Sequence, residues 1–186
     1  MCYIHCMQFE EKELTRKKVY DFPSFSINES EVIMPDGSRR TRSWIRHNGS
    51  SAILALDEEG RICIERQYRF AIRKLTYEIP AGHREEGEDY GTAAVRELLE
   101  ETGYRASSME LLGYFTPACG TSTEKTAIFL AKGLTKESAQ DLDEDEFLSV
   151  TWMTVAEIDA MIREKTIWDP KLICALYFAR LYGHIK

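Results

Sequence analysis

Alternating apolar and polar positions run through most of the chain, and a helical period replaces them once internally and again near the C-terminus. Residues 31–34, the turn Pro35-Asp36-Gly37 and residues 41–47 read as a hairpin, because Asp-Gly supplies turn chemistry between two strand-like runs. Residues 51–56 and 61–66 are expected to make a second hairpin about Asp57-Glu58-Glu59-Gly60, and residues 76–79 a short strand ended by Pro80. Over residues 90–102 the period becomes helical, placing Ala94, Val95, Leu98, Leu99 and Thr102 on an apolar face, with Gly103 as the stop. Strands at 111–115, 126–131 and 147–153 follow, then helices at 154–164 and 170–182. Residues 8–30 are polar with scattered aromatics, a pattern that fits a strand or an arm.

With 186 residues, 44% of them hydrophobic, the chain can bury one sizeable core and carry a short N-terminal extension, but a second full domain would be cramped. Its 31 Asp and Glu against 24 Lys and Arg leave no broad positive field, which excludes a nucleic-acid backbone as partner. A small anionic substrate is still compatible with the net charge of -7, provided a divalent cation and a few arginines reverse the potential locally. Cys2, Cys6, Cys63, Cys119 and Cys174 are odd in number and scattered, which argues against a disulfide framework and for a reducing compartment, the cytoplasm. Cys2 and Cys6 flank His5, but no second pair follows at zinc spacing; Cys63 and Cys174 read as core residues, and Trp44, Tyr68 and Phe115 as packing residues. No apolar run reaches the length of a membrane span.

The helix over 90–102 contains the candidate chemistry. In Arg96-Glu97-Leu98-Leu99-Glu100-Glu101, helical spacing lets Glu97, Glu100 and Glu101 converge on one edge, with Arg96 able to pair with Glu100. Like charges at that spacing repel unless a cation gathers them, and magnesium suits an all-oxygen set shared with substrate phosphates. Taken alone, such a string is more often a solvated helix face. Its surroundings change the weighting.

The run from Gly82 to Tyr104 resembles the Nudix box: glycine, five variable residues, glutamate, seven variable residues, Arg-Glu, an apolar and a variable residue, Glu-Glu, a variable residue, glycine and an apolar residue. Gly82, Glu88, Arg96, Glu97, Leu98, Glu100, Glu101 and Gly103 fill the fixed positions, and only Tyr104 departs, standing where a smaller aliphatic is usual. The resemblance implies an α/β/α sandwich on a mixed β-sheet over residues 48–186, preceded by an N-terminal β-hairpin region in residues 1–47. It also implies hydrolysis of a nucleoside diphosphate joined to a small moiety, dependent on Mg²⁺ or Mn²⁺. Glu97, Glu101 and Glu100 are the implied metal ligands, with the Ala81 carbonyl and Glu146 as further contacts.

Outside the box, Arg66-Gln67-Tyr68-Arg69 and Tyr77-Glu78-Ile79-Pro80-Ala81-Gly82 resemble the branch of ADP-ribose and nucleotide-sugar pyrophosphatases. Residues 116–124 are similar to that branch's substrate loop but carry Thr116 and Ala118 in place of serine and glycine, and residues 143–147 resemble its acidic loop. The branch implies Glu144 as general base, with Glu124 as second candidate, and Arg69 and Arg42 as substrate-binding cations suited to bidentate phosphate contact. It further implies a homodimer completed by the N-terminal hairpin region. ADP-ribose is the expected substrate; GDP-mannose, a dinucleoside polyphosphate or a damaged nucleotide is the alternative. A non-catalytic nucleotide-sensing module is disfavoured by the intact box glutamates.

Overall fold

The computed structural model describes residues 9–142 and 146–186. They fall into two compact units.

The first unit runs to Asn48 and includes Ala118–Glu124. Its strands β1 (Lys12–Asp21), β2 (Phe25–Ile33) and β3 (Arg39–His47) form an antiparallel sheet in that order. The expected Asp-Gly hairpin joins β2 to β3, with Ile33 opposite Arg39 and Gly37 in the left-handed region at φ 82°. β1 is exposed along its whole length, whereas β2 alternates and buries Ser26, Asn28, Ser30 and Val32. Trp44 donates to Ser30 Oγ at 2.9 Å. Segment 118–124 is pinned to β3: Ile45 N–H donates to Thr121 O at 2.8 Å and Thr123 N–H to Ile45 O at 2.9 Å.

The second unit comprises Gly49–Pro117 and Lys125–Lys186. Strands β4 (Ser50–Ala55), β7 (Ala81–His83), β8 (Tyr104–Phe115) and β9 (Thr126–Lys136) form a mixed sheet in the order β7-β4-β9-β8, in which β4 and β9 run parallel. A second sheet has the order β10-β5-β6, from β5 (Arg61–Arg69), β6 (Lys74–Glu78) and β10 (Leu148–Thr154). The helices are α1 (Tyr90–Thr102), α2 (Val155–Arg163) and α3 (Pro170–Leu181).

Strand alternation divides the core in two. Ala52, Leu54, Ile62, Ile64, Ile128 and Leu130 pack with Ile158 of α2 and Leu172, Ala175, Leu176 and Ala179 of α3. The intervening residues Ile53, Ala55, Cys63, Ala127, Phe129 and Ala131 pack with Ala94 and Leu98 of α1. This is the expected α/β/α sandwich, and it explains why β4 is buried at every position: both of its faces are covered by helices.

The second expected hairpin does not form as a ladder. The turn is present, with Asp57 N–H bonded to Arg61 O at 3.0 Å, but after the single bridge Leu56–Ile62 the strands part into different sheets. Both sides of β4 are already taken, by β7 and β9. Tyr68, expected to pack, is half exposed, while Phe115 lies against the core and Cys63 is buried within it.

Candidate active site

Local chemistry sets the ends of α1. Asp89 caps its N-terminus, accepting from Gly91 N–H at 2.8 Å and Thr92 N–H at 3.1 Å, and Gly103, at φ 69°, closes its C-terminus through an N–H bond to Leu99 O at 2.7 Å. A Cβ on Gly103 would lie 2.3 Å from Ser138 O, so both backbone conformation and space call for glycine. The helix is rolled relative to the apolar face read from the sequence. Ala94, Leu98 and Thr102 are buried as expected, but Val95 is exposed, and Glu97 and Glu101 are buried in its stead. The backbone of β7 explains part of this, because Ala81 N–H donates to Glu101 Oε2 at 2.8 Å.

Arg96 ties the carboxylate edge together. Its Nη1 donates to Glu97 Oε1 at 2.8 Å and Glu100 Oε2 at 3.0 Å, its Nε and Nη2 to Glu88 at 3.1 Å, and its Nη2 also to His83 O at 3.0 Å. Glu88 Oε2 accepts in addition from Glu85 N–H, which fixes the loop that leads into α1. Gly82 leaves room for Glu97: a Cβ there would come within 2.0 Å of the Glu97 carboxyl. The first box glycine is thus the cradle of the second box glutamate.

Burial pushes Glu97 up to about 7 against the opposing pull of Arg96. Burial also raises Glu101, reinforced by the charges of Glu65, Glu97 and Glu146, and raises Glu65, reinforced by Glu146 and Glu78. These carboxylates therefore share one poorly solvated space, where negative charge is costly unless a cation is added. As they stand, no three His, Cys, Asp or Glu side chains among the described residues are gathered to hold a metal ion. Glu97 is turned to Arg96 and Glu101 to Ala81 N–H. The donor set fits a hard divalent cation all the same, since it is all oxygen, it is crowded with like charge, and Glu65 Oε1 is buried without a hydrogen-bond partner among the described residues.

The remaining candidates are distributed as follows. Ala81 lies on β7 beside Glu101, Glu100 is more exposed and paired to Arg96, and Glu146 is close enough to raise its neighbours. Arg69 lies at the end of β5, where its Nε and Nη2 clasp Glu78 at 2.8 and 2.7 Å. Arg42 and Glu124 belong to the first unit, where Arg42 makes an exposed bidentate pair with Glu11 and Glu124 N–H donates to Ser122 Oγ. Glu144 lies outside the described residues.

Sequence reasoning passed over Glu65, and it quoted Glu78 within the branch motif without giving it a role. Glu78 is buried between Arg69 and Lys171, whose Nζ donates to Glu78 Oε2 at 2.7 Å and to Asp169 Oδ1 at 2.8 Å. Burial alone would raise Glu78, but Arg69 and Lys171 hold it well below the usual carboxylate range. The available signal was a lone acid closing an apolar run, Ile62-Cys63-Ile64-Glu65.

Comparison with known proteins places this arrangement. The NUDIX domain family model matches residues 46–176, and the chain belongs to that family. The methanol dehydrogenase activator of Bacillus methanolicus is 37% identical, covering 96% of this chain and 97% of that protein. The ADP-ribose pyrophosphatase of Bacillus subtilis (strain 168) is 32% identical over 92% of this chain and 94% of its own length, and that of Mycobacterium tuberculosis (strain ATCC 25618 / H37Rv) is 34% identical over 72% and 65%. A crystal structure of an ADP compounds hydrolase superposes with a TM-score of 0.79 at 22% identity, covering 93% of this chain and 94% of that one, and so shares the fold. The chain is a Nudix pyrophosphohydrolase, in the branch that holds the ADP-ribose pyrophosphatases.

Proposed function

We propose that the protein hydrolyses the pyrophosphate linkage of ADP-ribose, releasing AMP and ribose 5-phosphate, with Mg²⁺ or Mn²⁺ held by Glu97, Glu101, Glu100, Glu146 and the Ala81 carbonyl. The observation that carries the reading is the inward roll of α1, which buries Glu97 and Glu101 among further carboxylates where a solvated face would have left them in water. When bound, the cation supplies charge neutralisation at the bridging phosphates and a more acidic water. Arg96 keeps Glu97 and Glu100 aligned on the edge, and Gly82 keeps the space above Glu97 open. Glu144 takes the proton of the attacking water, or Glu124 in its place, and Arg69 and Arg42 pair with substrate phosphate. Glu144→Gln is expected to lower kcat by roughly 10²- to 10⁴-fold with little change in KM. The same loss from Glu124→Gln alone would exchange the two roles.

ADP-ribose is supported by two pyrophosphatase relatives of that name and by the Gln67-Tyr68-Arg69 run. A panel of nucleoside diphosphate derivatives with Mg²⁺, products resolved by chromatography, tests it. Higher kcat/KM for ADP-ribose than for GDP-mannose is expected, and the reverse order refutes the substrate assignment. A second reading rests on the relative named a methanol dehydrogenase activator: this chain raises the turnover of such a dehydrogenase. Assaying that dehydrogenase with wild type and Glu101→Gln decides whether any activation exists and whether it needs the hydrolytic site.

The N-terminal unit is assigned to homodimerisation, because β1 presents a long exposed strand with Leu14, Val19 and Tyr20 in solvent. A monomer by light scattering at micromolar concentration, fully active, would contradict it. A reducing cytoplasmic setting is supported by the free thiols of Cys63, Cys119 and Cys174, and among the described residues no helix is long and apolar enough to cross a membrane. Fractionation of cells tests the location.

A further inference from the structure

β5 carries a glutamate that the box does not include. Cys63 packs against Ala94 and Leu98 of α1, and strand alternation puts Glu65 on the same face of β5, two residues further on. The same helix buries Glu101 one turn beyond its packed Leu98. Glu65 is in the middle strand of its sheet, opposite Glu78 on one side and Val150 on the other, and only 4% exposed. Two glutamates directly across an antiparallel pair repel. Glu78 resolves its share by pairing with Arg69 and Lys171, but Glu65 Oε1 is covered and has no hydrogen-bond partner among the described residues.

An unpartnered buried carboxylate oxygen incurs a full desolvation penalty, and proteins retain one where a ligand or a proton meets it. The neighbours of Glu65 point to the ligand. Among charged groups, Glu65 is the strongest influence on Glu101, ahead of Glu97, and Glu146 is the strongest on Glu65. Glu65 thus adjoins the carboxylate space of α1, and the charges of Lys171 and Arg69, which lie across Glu78, offset only part of what burial and its acidic neighbours impose.

We propose that Glu65 is an additional oxygen ligand of the divalent-cation site, contributing from the sheet while Glu97 and Glu101 contribute from α1. The inference rests on reading the α1 edge as a cation site. Its ligand class is a hard divalent ion such as Mg²⁺ or Mn²⁺, for which each added carboxylate raises affinity.

The test is Mn²⁺ binding to the metal-stripped full chain, by calorimetry and by the electron paramagnetic resonance signal of free Mn²⁺, for wild type, Glu65→Gln, Glu65→Val and Glu101→Gln. Melting curves without metal establish that each variant folds. If Glu65→Gln melts early, Glu65→Val, an apolar side chain suited to a covered strand position, carries the comparison. Both Glu65 variants are expected to bind Mn²⁺ about tenfold more weakly or more, or with one ion fewer, as is usual when a group that supports a metal is lost. Wild-type affinity and stoichiometry in the Glu65 variants, with weakened binding in Glu101→Gln, would overturn the assignment of Glu65 and leave the cation site intact. Wild-type binding in all three variants would overturn both.

Discussion

The carboxyl of Glu97 occupies the space that a side chain at position 82 would need: a Cβ built on Gly82 lies 2.0 Å from Glu97 Cδ and Oε1. Two residues distant in sequence are thereby bound to each other's identity. The atoms in conflict are the far end of a flexible side chain, so the strain of Gly82→Ala can be relieved by swinging Glu97 aside. Near-normal folding and poor chemistry are expected: a melting temperature within a few degrees of wild type, and turnover reduced about tenfold or more by loss of a positioned charge-stabilising group. Turnover and melting measured together decide it, and an unimpaired Gly82→Ala enzyme would show that Glu97 need not stand where it does.

Among the described residues Glu78 is the only carboxylate to which Arg69 bonds, and it is shared with the largely covered Lys171. Removing its charge by Glu78→Gln leaves Lys171 with Asp169 as its one carboxylate partner among the described residues, and breaking such a buried pair typically costs about 3 kcal/mol or more. Chemical denaturation should register that loss. A cost within a few tenths of a kcal/mol of zero would mean that the network is not what holds α3 to the end of β6.

In the proposed cation site, metal binding and pH are linked through Glu97, Glu101 and Glu65, all of which burial raises above their ordinary range. The folded protein holds these protons more tightly than the unfolded chain does. Their favourable contribution is therefore complete at acid pH and is lost as pH rises from the ordinary glutamate range through about 7, where Glu97 titrates, and beyond. Glu78 has the opposite sign, since it is depressed: its contribution is present above the ordinary range and lost only in acid. Comparing melting temperatures with Mg²⁺ and with a chelator at each pH cancels the Glu78 term. The stabilisation by Mg²⁺ should be small at pH 5.5 and grow by several degrees at pH 8.5; an increment independent of pH would contradict the shared carboxylate space.

How far the sequence could be read depended on the range of the interactions involved. Gly103 and the Asp36-Gly37 turn act on their immediate neighbours, so the span of α1 and the turn between β2 and β3 could be placed from the residues alone, although β2 begins six residues before the strand read at 31–34. The parting of β4 and β5 could not, because the turn at Asp57–Gly60 is the same whether the strands pair or diverge, and what separates them is the occupation of both sides of β4 by β7 and β9. Counting apolar residues on α1 favoured Val95 over Glu97, since hydrophobic periodicity does not register a backbone donor such as Ala81 N–H waiting across the gap. The metal-ligand candidates on α1 were legible as a motif. Glu65 was not, because its meaning depends on which helix faces it. Arg69 was read as a phosphate-binding cation from its residue type; that it also pairs with Glu78 was not legible, because the pair depends on β6 lying beside β5.

The central claim is that the edge of α1 holds the divalent cation on which phosphoanhydride hydrolysis depends, and Glu101 is its most deeply buried member. Glu101→Gln preserves size and helix propensity and can still accept from Ala81 N–H through its amide oxygen, so the fold should survive and melt at or above the wild-type temperature as repulsion with Glu65 and Glu97 is relieved. The decisive measurement is steady-state turnover of ADP-ribose against Mg²⁺ concentration for wild type and Glu101→Gln. Turnover should fall by roughly a hundredfold or more, with excess Mg²⁺ restoring only part of it. A Glu101→Gln enzyme with near-normal turnover and an unchanged metal requirement would contradict the account.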